Sequence, residues 1–193
     1  MIFAREGMMN IIVNTSIREK YMSGFPRPGK VTEIVIHGTG GGSTSKAIIN
    51  WIMGGERAKE YLRGVALFHY LIDREGGIIE VINPSKWVYH SSSGIHDKET
   101  IGIEHINPDA KNQDAFTDEQ YQSDLDLILF LITQFPVTSI IGHVQNTLKY
   151  SGQKYVKVPC PGNYDWPRLQ KMLFESGHEF NFGEEHLINR GLI

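Results

Sequence analysis

Three side chains in this sequence combine types and positions suited to metal chemistry. His37 closes the β-branched run Ile34-Val35-Ile36, and Gly142-His143 closes the short buried strand Thr138 to Ile141. Each imidazole therefore stands at the end of a short buried strand, where open α/β sheets place their ligands. Cys160, the only cysteine, lies in the tight segment Pro159-Cys160-Pro161-Gly162. One thiol forms no internal disulfide, so the sulfur is a small buried hydrophobe, a nucleophile or a metal ligand. Two imidazoles and a thiolate suit a tetrahedral zinc ion with one position left for water, the catalytic rather than the structural pattern. Taken singly, each has a plainer reading, because a lone strand-end histidine is more often a satisfied polar cap and eight histidines allow other combinations.

A hydrolytic zinc needs a base to take a proton from its water. Glu104 is the strongest candidate, in the alternating stretch Thr100-Ile101-Gly102-Ile103-Glu104-His105-Ile106. Ile101 and Ile103 share one strand face and Gly102 and Glu104 the other, so the sequence predicts open space beside the carboxylate. The competing reading is a solvated carboxylate on an edge strand. Lys157, shortly before Cys160, is placed to steady a developing oxyanion, or else is an ordinary surface lysine. The glycines of Gly38-Thr39-Gly40-Gly41-Gly42 clear side chains from the turn after His37, so a substrate can approach the backbone.

The elements that must position these residues follow from the local pattern. Met1 to Lys30 reads as an N-terminal arm (1–30) packing on the domain, its Pro26 and Pro28 disfavouring helix. Ser43-Thr44-Ser45 offers N-caps for a helix from about Lys46 to Met53, resumed after Gly54-Gly55 toward Arg63. Val65 to Asp73 and Ile78 to Ile82 form a predicted hairpin around Arg74-Glu75-Gly76-Gly77, and Trp87 to His90 a further extended piece. Thr117-x-x-Gln120 is a capping box opening the best helix, with Tyr121, Leu125, Ile128, Leu129 and Ile132 at helical spacing and Pro136 ending it. A polar loop is expected between His143 and Pro159, then a helix from Trp166 to Ser176 capped by Asp165. The expectation is a single α/β domain, a central mixed β-sheet flanked by helices, over 31–177, with a C-terminal tail at 178–193.

Length and composition set the outer bounds. The 193 residues suffice for one sizeable core, and 40% hydrophobic with 21% charged residues is ordinary for a soluble domain. A net charge of -3 gives no electrostatic reason for a nucleic-acid or anionic-membrane partner. Arg5, Glu6, Asn10 and Asn14 break the first apolar stretch, so a signal peptide is not expected, and no run is long enough to span a bilayer. The reading is a protein made in the cytoplasm, without membrane insertion, and monomeric.

Six segments together carry a family resemblance. They are Ile34-Val35-Ile36-His37-Gly38-Thr39, Phe68-His69-Tyr70-Leu71-Ile72-Asp73-Arg74-Glu75-Gly76, Tyr89-His90-Ser91, Ile101-Gly102-Ile103-Glu104, Gly142-His143 and Cys160-Pro161-Gly162-x-x-Asp165-Trp166. In this order, from about Val31 to Leu169, they resemble the zinc-dependent N-acetylmuramoyl-L-alanine amidases of the type 2 family. That family takes in phage lysins, bacterial autolysins and peptidoglycan recognition proteins. The resemblance implies His37, His143 and Cys160 as ligands of one catalytic zinc and Glu104 as the catalytic acid/base. It implies peptidoglycan as substrate, cut between N-acetylmuramic acid and L-alanine. His90 matches a substrate-side histidine, with a packed structural role as the alternative; Phe68 and Thr39 are expected beside the substrate, and His69 is expected to be structural.

There are departures from the family pattern. Val158 stands where many members have a lysine, so Lys157 sits one position further back. Phe68 replaces the tyrosine of some relatives and has no hydroxyl, leaving the acid/base work to Glu104. Cysteine as third ligand resembles the lysin and recognition-protein branches, and the wall would be reached after release from the cell. The alternatives are a non-catalytic peptidoglycan-binding module, a cytoplasmic amidase recycling muropeptides, and a cysteine hydrolase using Cys160 with His143.

Overall fold

The computed structural model describes residues 10–14, 25–54, 67–91, 94–151 and 160–182. Its core is strand β3, Glu33–Gly38, every residue of which is buried. Along the chain it is preceded by β1 (Ile11–Val13) and β2 (Phe25–Pro26), and followed by helix α1 (Ser45–Met53), β4 (Tyr70–Ile72), β5 (Ile78–Glu80) and β6 (Lys86–Trp87). Then come a 3₁₀ turn at His96–Glu99, β7 (Thr100–His105), α2 (Asp118–Ile132), β8 (Ser139–Gly142), α3 (His143–Ser151), α4 (Trp166–Glu175) and β9 (Asn181–Phe182).

Among the described residues, seven strands form one mixed sheet in the order β1-β5-β4-β7-β3-β8-β9, with β2 and β6 as a separate antiparallel pair. Among these described strands only β4 and β5 run antiparallel within the large sheet, as the hairpin signal predicts. Ile34, Ile36, Ile101, Ile103 and Ile140 pack on one face against Leu127, Leu131, Leu169 and Leu173 of α2 and α4. Leu71 and Ile79 pack on the other with Ile48 and Ile52 of α1. This is the α/β architecture expected, a mixed sheet between helices. Among the described residues no helix is long and apolar enough to cross a membrane.

Several boundaries differ from expectation, each for a physical reason. Of the strand expected over Val65 to Asp73, Val65 and Ala66 lie outside the described residues, and from Leu67 on it is confined to Tyr70–Ile72, because the His69 carbonyl turns away to accept from Val81 and Ile82. The segment after His143, expected as a polar loop, is the helix α3. The backbone N–H of Gly142 donates to the Gln145 side chain, and Val144 N–H to the Cys160 carbonyl at 3.0 Å, so this helix start is tied by partners that apolar spacing does not show. The capping box Thr117/Gln120 is present, but α2 buries Gln120, Ser123, Asp124, Leu127 and Leu131 as well as Tyr121 and Ile128. Leu125, Leu129 and Ile132 are only partly buried. Its buried face is turned toward Asp124, which meets His105 at 2.9 Å.

The flanks contribute to the same sheet. β1 pairs with β5 in parallel and β9 with β8, so strands lie beyond both ends of 31–177. Arg27 inserts beside the start of β7, donating to the carbonyls of Pro84 at 2.7 Å, Lys98 at 2.7 Å and Thr100 at 2.8 Å. The helical resumption expected toward Arg63 lies outside the described residues.

Candidate active site

Strand register brings the chemistry together. β3 lies between β7 and β8, with His37 level with Glu104 and Ile36 level with Gly142. His143, the first residue of α3, therefore stands beside His37, and their ring centroids are 4.7 Å apart. The Cys160 segment closes over this sheet edge because Gly38 has no side chain: a Cβ there would stand 2.7 Å from Asn112 Oδ1 and 3.2 Å from the Pro161 carbonyl. Asn112 then joins the two loops, accepting from Gly40 N–H at 2.7 Å through its side chain and from Asn163 N–H at 2.9 Å through its carbonyl.

The ligand atoms of His37, His143 and Cys160 all lie within 4.8 Å of one another. Cys160 Sγ is 3.8 Å from His37 Nδ1, close to the roughly 3.5 Å that separates sulfur and nitrogen donors on a tetrahedral zinc. Among the described residues no other such side chain joins the group. The electrostatics fit a cation as well. Burial, reinforced by His143, His90 and His105, holds His37 well below the ordinary imidazole range. Burial brings His143 down to about 4. Both rings are thus neutral and keep a lone pair for a metal. Burial pushes the Cys160 thiol up, as does Glu104, against one favourable contact from Gly38 N–H at 3.4 Å; a dication held here would supply the charge that favours the thiolate. Two neutral imidazoles and one sulfur at this spacing suit zinc.

Glu104 faces the same cavity of about 190 Å³, with His37, His143, Cys160 and His90. Burial raises its carboxyl to about 7, with His105 pulling slightly the other way. A carboxyl at that value exchanges protons readily near neutrality. The apolar side of the cavity is Ile48, Trp51, Leu67 and Phe68. A neighbouring pocket of about 320 Å³ shares Thr39, Ile48 and Trp51 and extends along Gly40, Gly41 and Gly42.

The remaining expected residues divide. Thr39 lines the cavity, and its hydroxyl donates to the Asn107 carbonyl at 3.1 Å and accepts from Asn107 N–H at 3.0 Å. Phe68 lines the cavity with its ring. Lys157 lies outside the described residues. The open space predicted beside Glu104 is the cavity it faces, but Gly102 does not provide it: the His90 ring lies over Gly102, where a Cβ would stand 2.7 Å from His90 Nδ1. His90 bonds His37 Nε2 at 3.1 Å while also lining the cavity. His69 is structural, as expected, accepting from Gly102 N–H at 2.9 Å and meeting the Lys86 carbonyl at 3.1 Å.

Sequence reasoning passed over a second buried group behind the site. His105 Nδ1 donates to the His37 carbonyl at 3.1 Å, and its Nε2 to the Asp124 carboxylate at 2.9 Å. Tyr164, four residues past Cys160, donates to Asp124 at 2.5 Å. Burial alone would lower His105, but the charge of Asp124 and the bonds to Asp124 and His37 outweigh it and raise its pKa. His105 was visible in the sequence next to Glu104; its partner 19 residues on was hidden in the polar positions of a helix.

Comparison with known proteins identifies the family and the fold. The chain matches the family described as N-acetylmuramoyl-L-alanine amidase, Amidase_2, over residues 27–163. A search of the curated proteins finds no match. Among solved structures, the endolysin N-acetylmuramoyl-L-alanine amidase LysCS from Clostridium intestinale URNW superposes with a TM-score of 0.63 at 17% identity, covering 86% of this chain and 95% of that one. The Ph2119 endolysin from Thermus scotoductus MAT2119 bacteriophage Ph2119 gives 0.61 at 16% identity, covering 84% and 98%. The Drosophila peptidoglycan recognition protein SD gives 0.53 at 20% identity, covering 84% and 94%. The structures share the fold, and the family match spans every proposed ligand, Glu104 and most of the sheet. On that match the chain belongs to the N-acetylmuramoyl-L-alanine amidase family.

Proposed function

We propose that this chain is a zinc-dependent peptidoglycan hydrolase that cuts the amide between the lactyl group of N-acetylmuramic acid and the L-alanine of the stem peptide. The observation that carries the reading is the convergence of His37, His143 and Cys160 on one point of a cavity that Glu104 also faces. Those three side chains would hold the ion. Zinc bound there supplies a Lewis acid for the scissile carbonyl and lowers the pKa of the attacking water.

The chain's own residues do the rest. Glu104 takes a proton from the attacking water and delivers it to the departing nitrogen of L-alanine, so the C–N bond breaks to a lactyl carboxylate and a free amine. Its pKa near 7 suits both directions of transfer. Phe68 and Leu67 give the cavity an apolar wall and exclude water, and Trp51 divides it from the glycine-lined pocket, leaving room on both sides of the bond. Thr39, its hydroxyl engaged with Asn107, shapes the groove. Lys157 is assigned the oxyanion, a role that rests on its place in the sequence near Cys160. The protein would act as a monomer on the cell wall after release from the cytoplasm; the cysteine third ligand and the endolysins among the fold's neighbours support this reading.

Metal analysis of the purified chain, with a turbidity assay on wall material, tests the proposal. One zinc per chain and clearing that EDTA abolishes and zinc restores is the expected result. Wall binding without clearing would make it a recognition module, and clearing that survives EDTA would make it a thiol hydrolase. The protonated state in which burial holds Cys160 in the free protein weighs against the last.

A further inference from the structure

Behind His37 runs a buried hydrogen-bonded file through His90 to Thr100, with a carboxylate beside its far end. Asp97 is buried, and its Oδ1 accepts from Ser91 N–H at 2.9 Å and from Ser91 Oγ–H at 2.7 Å. The same oxygen lies 3.6 Å from His90 Nε2, and Thr100 Oγ1 lies 2.8 Å from that nitrogen. The Thr100 hydroxyl can donate or accept, and the negative charge of the carboxylate beside it, too far to bond directly, favours the hydrogen on that His90 nitrogen, which then donates to Thr100 Oγ1. A neutral imidazole has one N–H, which leaves His90 Nδ1 with its lone pair. That lone pair meets His37 Nε2 at 3.1 Å, and the hydrogen in this contact must therefore belong to His37. His37 in turn has its lone pair on Nδ1, the nitrogen 3.8 Å from Cys160 Sγ. The bare backbone at Gly102 lets the His90 ring lie close enough to complete the file.

We propose that His90 is a positioning residue that spends the Nε2–H of His37 and so commits Nδ1 to the metal. Resting on the zinc reading above, this gives His90 a role apart from substrate contact. Partners of this kind orient a ligating imidazole and raise its basicity.

Two measurements on the full chain test it. Selectively labelled ¹⁵N-histidine NMR of the zinc-free protein reports which nitrogen of His37 carries hydrogen, and chelator competition reports zinc affinity. The expected wild-type state is Nε2–H on His37. His90→Leu, which removes the acceptor, should weaken zinc binding about 10- to 100-fold. His90→Asn, whose Oδ1 stands where Nδ1 stood, should recover most of that affinity, a rescue that a mere packing role would not give. Nδ1–H on His37 in the wild type, or wild-type affinity in His90→Leu, overturns the proposal. Where His90→Leu does not fold, Thr100→Val takes its place: weaker zinc binding supports the file and unchanged binding overturns it. A wild type that binds no zinc sinks the metal reading itself, and the tautomer of His37 still decides the hydrogen-bonded file.

Discussion

Gly102→Ala adds one methyl group to an interior strand and should disable the site from behind. The new Cβ would stand 2.7 Å from His90 Nδ1 and 2.8 Å from its Cγ, where non-bonded carbons need about 3.5 Å. The ring must therefore retreat by about 0.8 Å, enough to break its bond to His37. The backbone cannot yield instead, because β7 is paired with β4 on one side and β3 on the other. Overpacking costs about 1–3 kcal/mol and stranding a buried polar group about as much again, so the loss should be about 2–6 kcal/mol. For a domain of this size that lowers Tm by roughly 4–24 °C, and zinc affinity should fall about tenfold or more. Calorimetry and chelator competition read both effects. In a His90→Ala background the methyl meets no ring, and the same substitution should cost little, a coupling that a double-mutant cycle isolates. A Gly102→Ala protein that melts with the wild type and binds zinc as tightly would refute the reasoning.

Other perturbations probe different parts of the account. Glu104→Gln should keep zinc and Tm yet lose hydrolysis by about 100- to 10,000-fold on muropeptide substrates, whereas wild-type turnover would remove Glu104 from the chemistry. Cys160→Ser should lose tight zinc binding by metal analysis and leave circular dichroism unchanged; retained affinity would take the sulfur out of the ligand set. Asp124→Asn leaves the His105 imidazolium without its counterion and should cost about 3–5 kcal/mol by urea denaturation. Because the folded pKa of His105 is raised, the pair's contribution is fully present below about 6.5 and is lost as pH rises through the folded value. The deficit of Asp124→Asn should shrink accordingly at alkaline pH, and a pH-independent deficit would contradict the assignment. Zinc-free protein should lose stability as pH falls below about 6.5, since His37, His69, His90 and His143 have lowered pKa values and only the unfolded chain takes up those protons. Glu104 and Asp97, raised by burial, act in the opposite sense and offset about half, leaving roughly 2–3 kcal/mol per pH unit near pH 5.5. Equal urea midpoints at pH 7 and 5.5 would refute that proton balance.

The readable part of the site is the part written in strand ends. His37 and Glu104 sit on strands whose β-branched residues announce them, and parallel pairing then sets the two level. The capping box at Thr117 and the Asp165 cap of α4 were equally legible, because each is a short-range hydrogen bond between named residue types. What escaped is tertiary. Helix α3 carries few apolar residues, and its first turn is held by Gln145 and by the Cys160 carbonyl from a distant segment. Asp124 reads as a polar position on an exposed helix face until His105 and Tyr164 are seen to meet it. Gly102 was legible as a missing side chain, but nothing in the sequence told that His90, 12 residues earlier, would fill the gap.

The central claim is that one bond in peptidoglycan is cut by a metal held at His37, His143 and Cys160. Mass spectrometry of purified peptidoglycan digested with the zinc-loaded chain, in parallel with chelated enzyme, measures this directly. The account predicts stem peptides with a free L-alanine amine and glycan strands with a free lactyl carboxylate, both absent after chelation and restored by zinc. Cleavage at a glycosidic or peptide–peptide bond, or the same products from chelated enzyme, would contradict it.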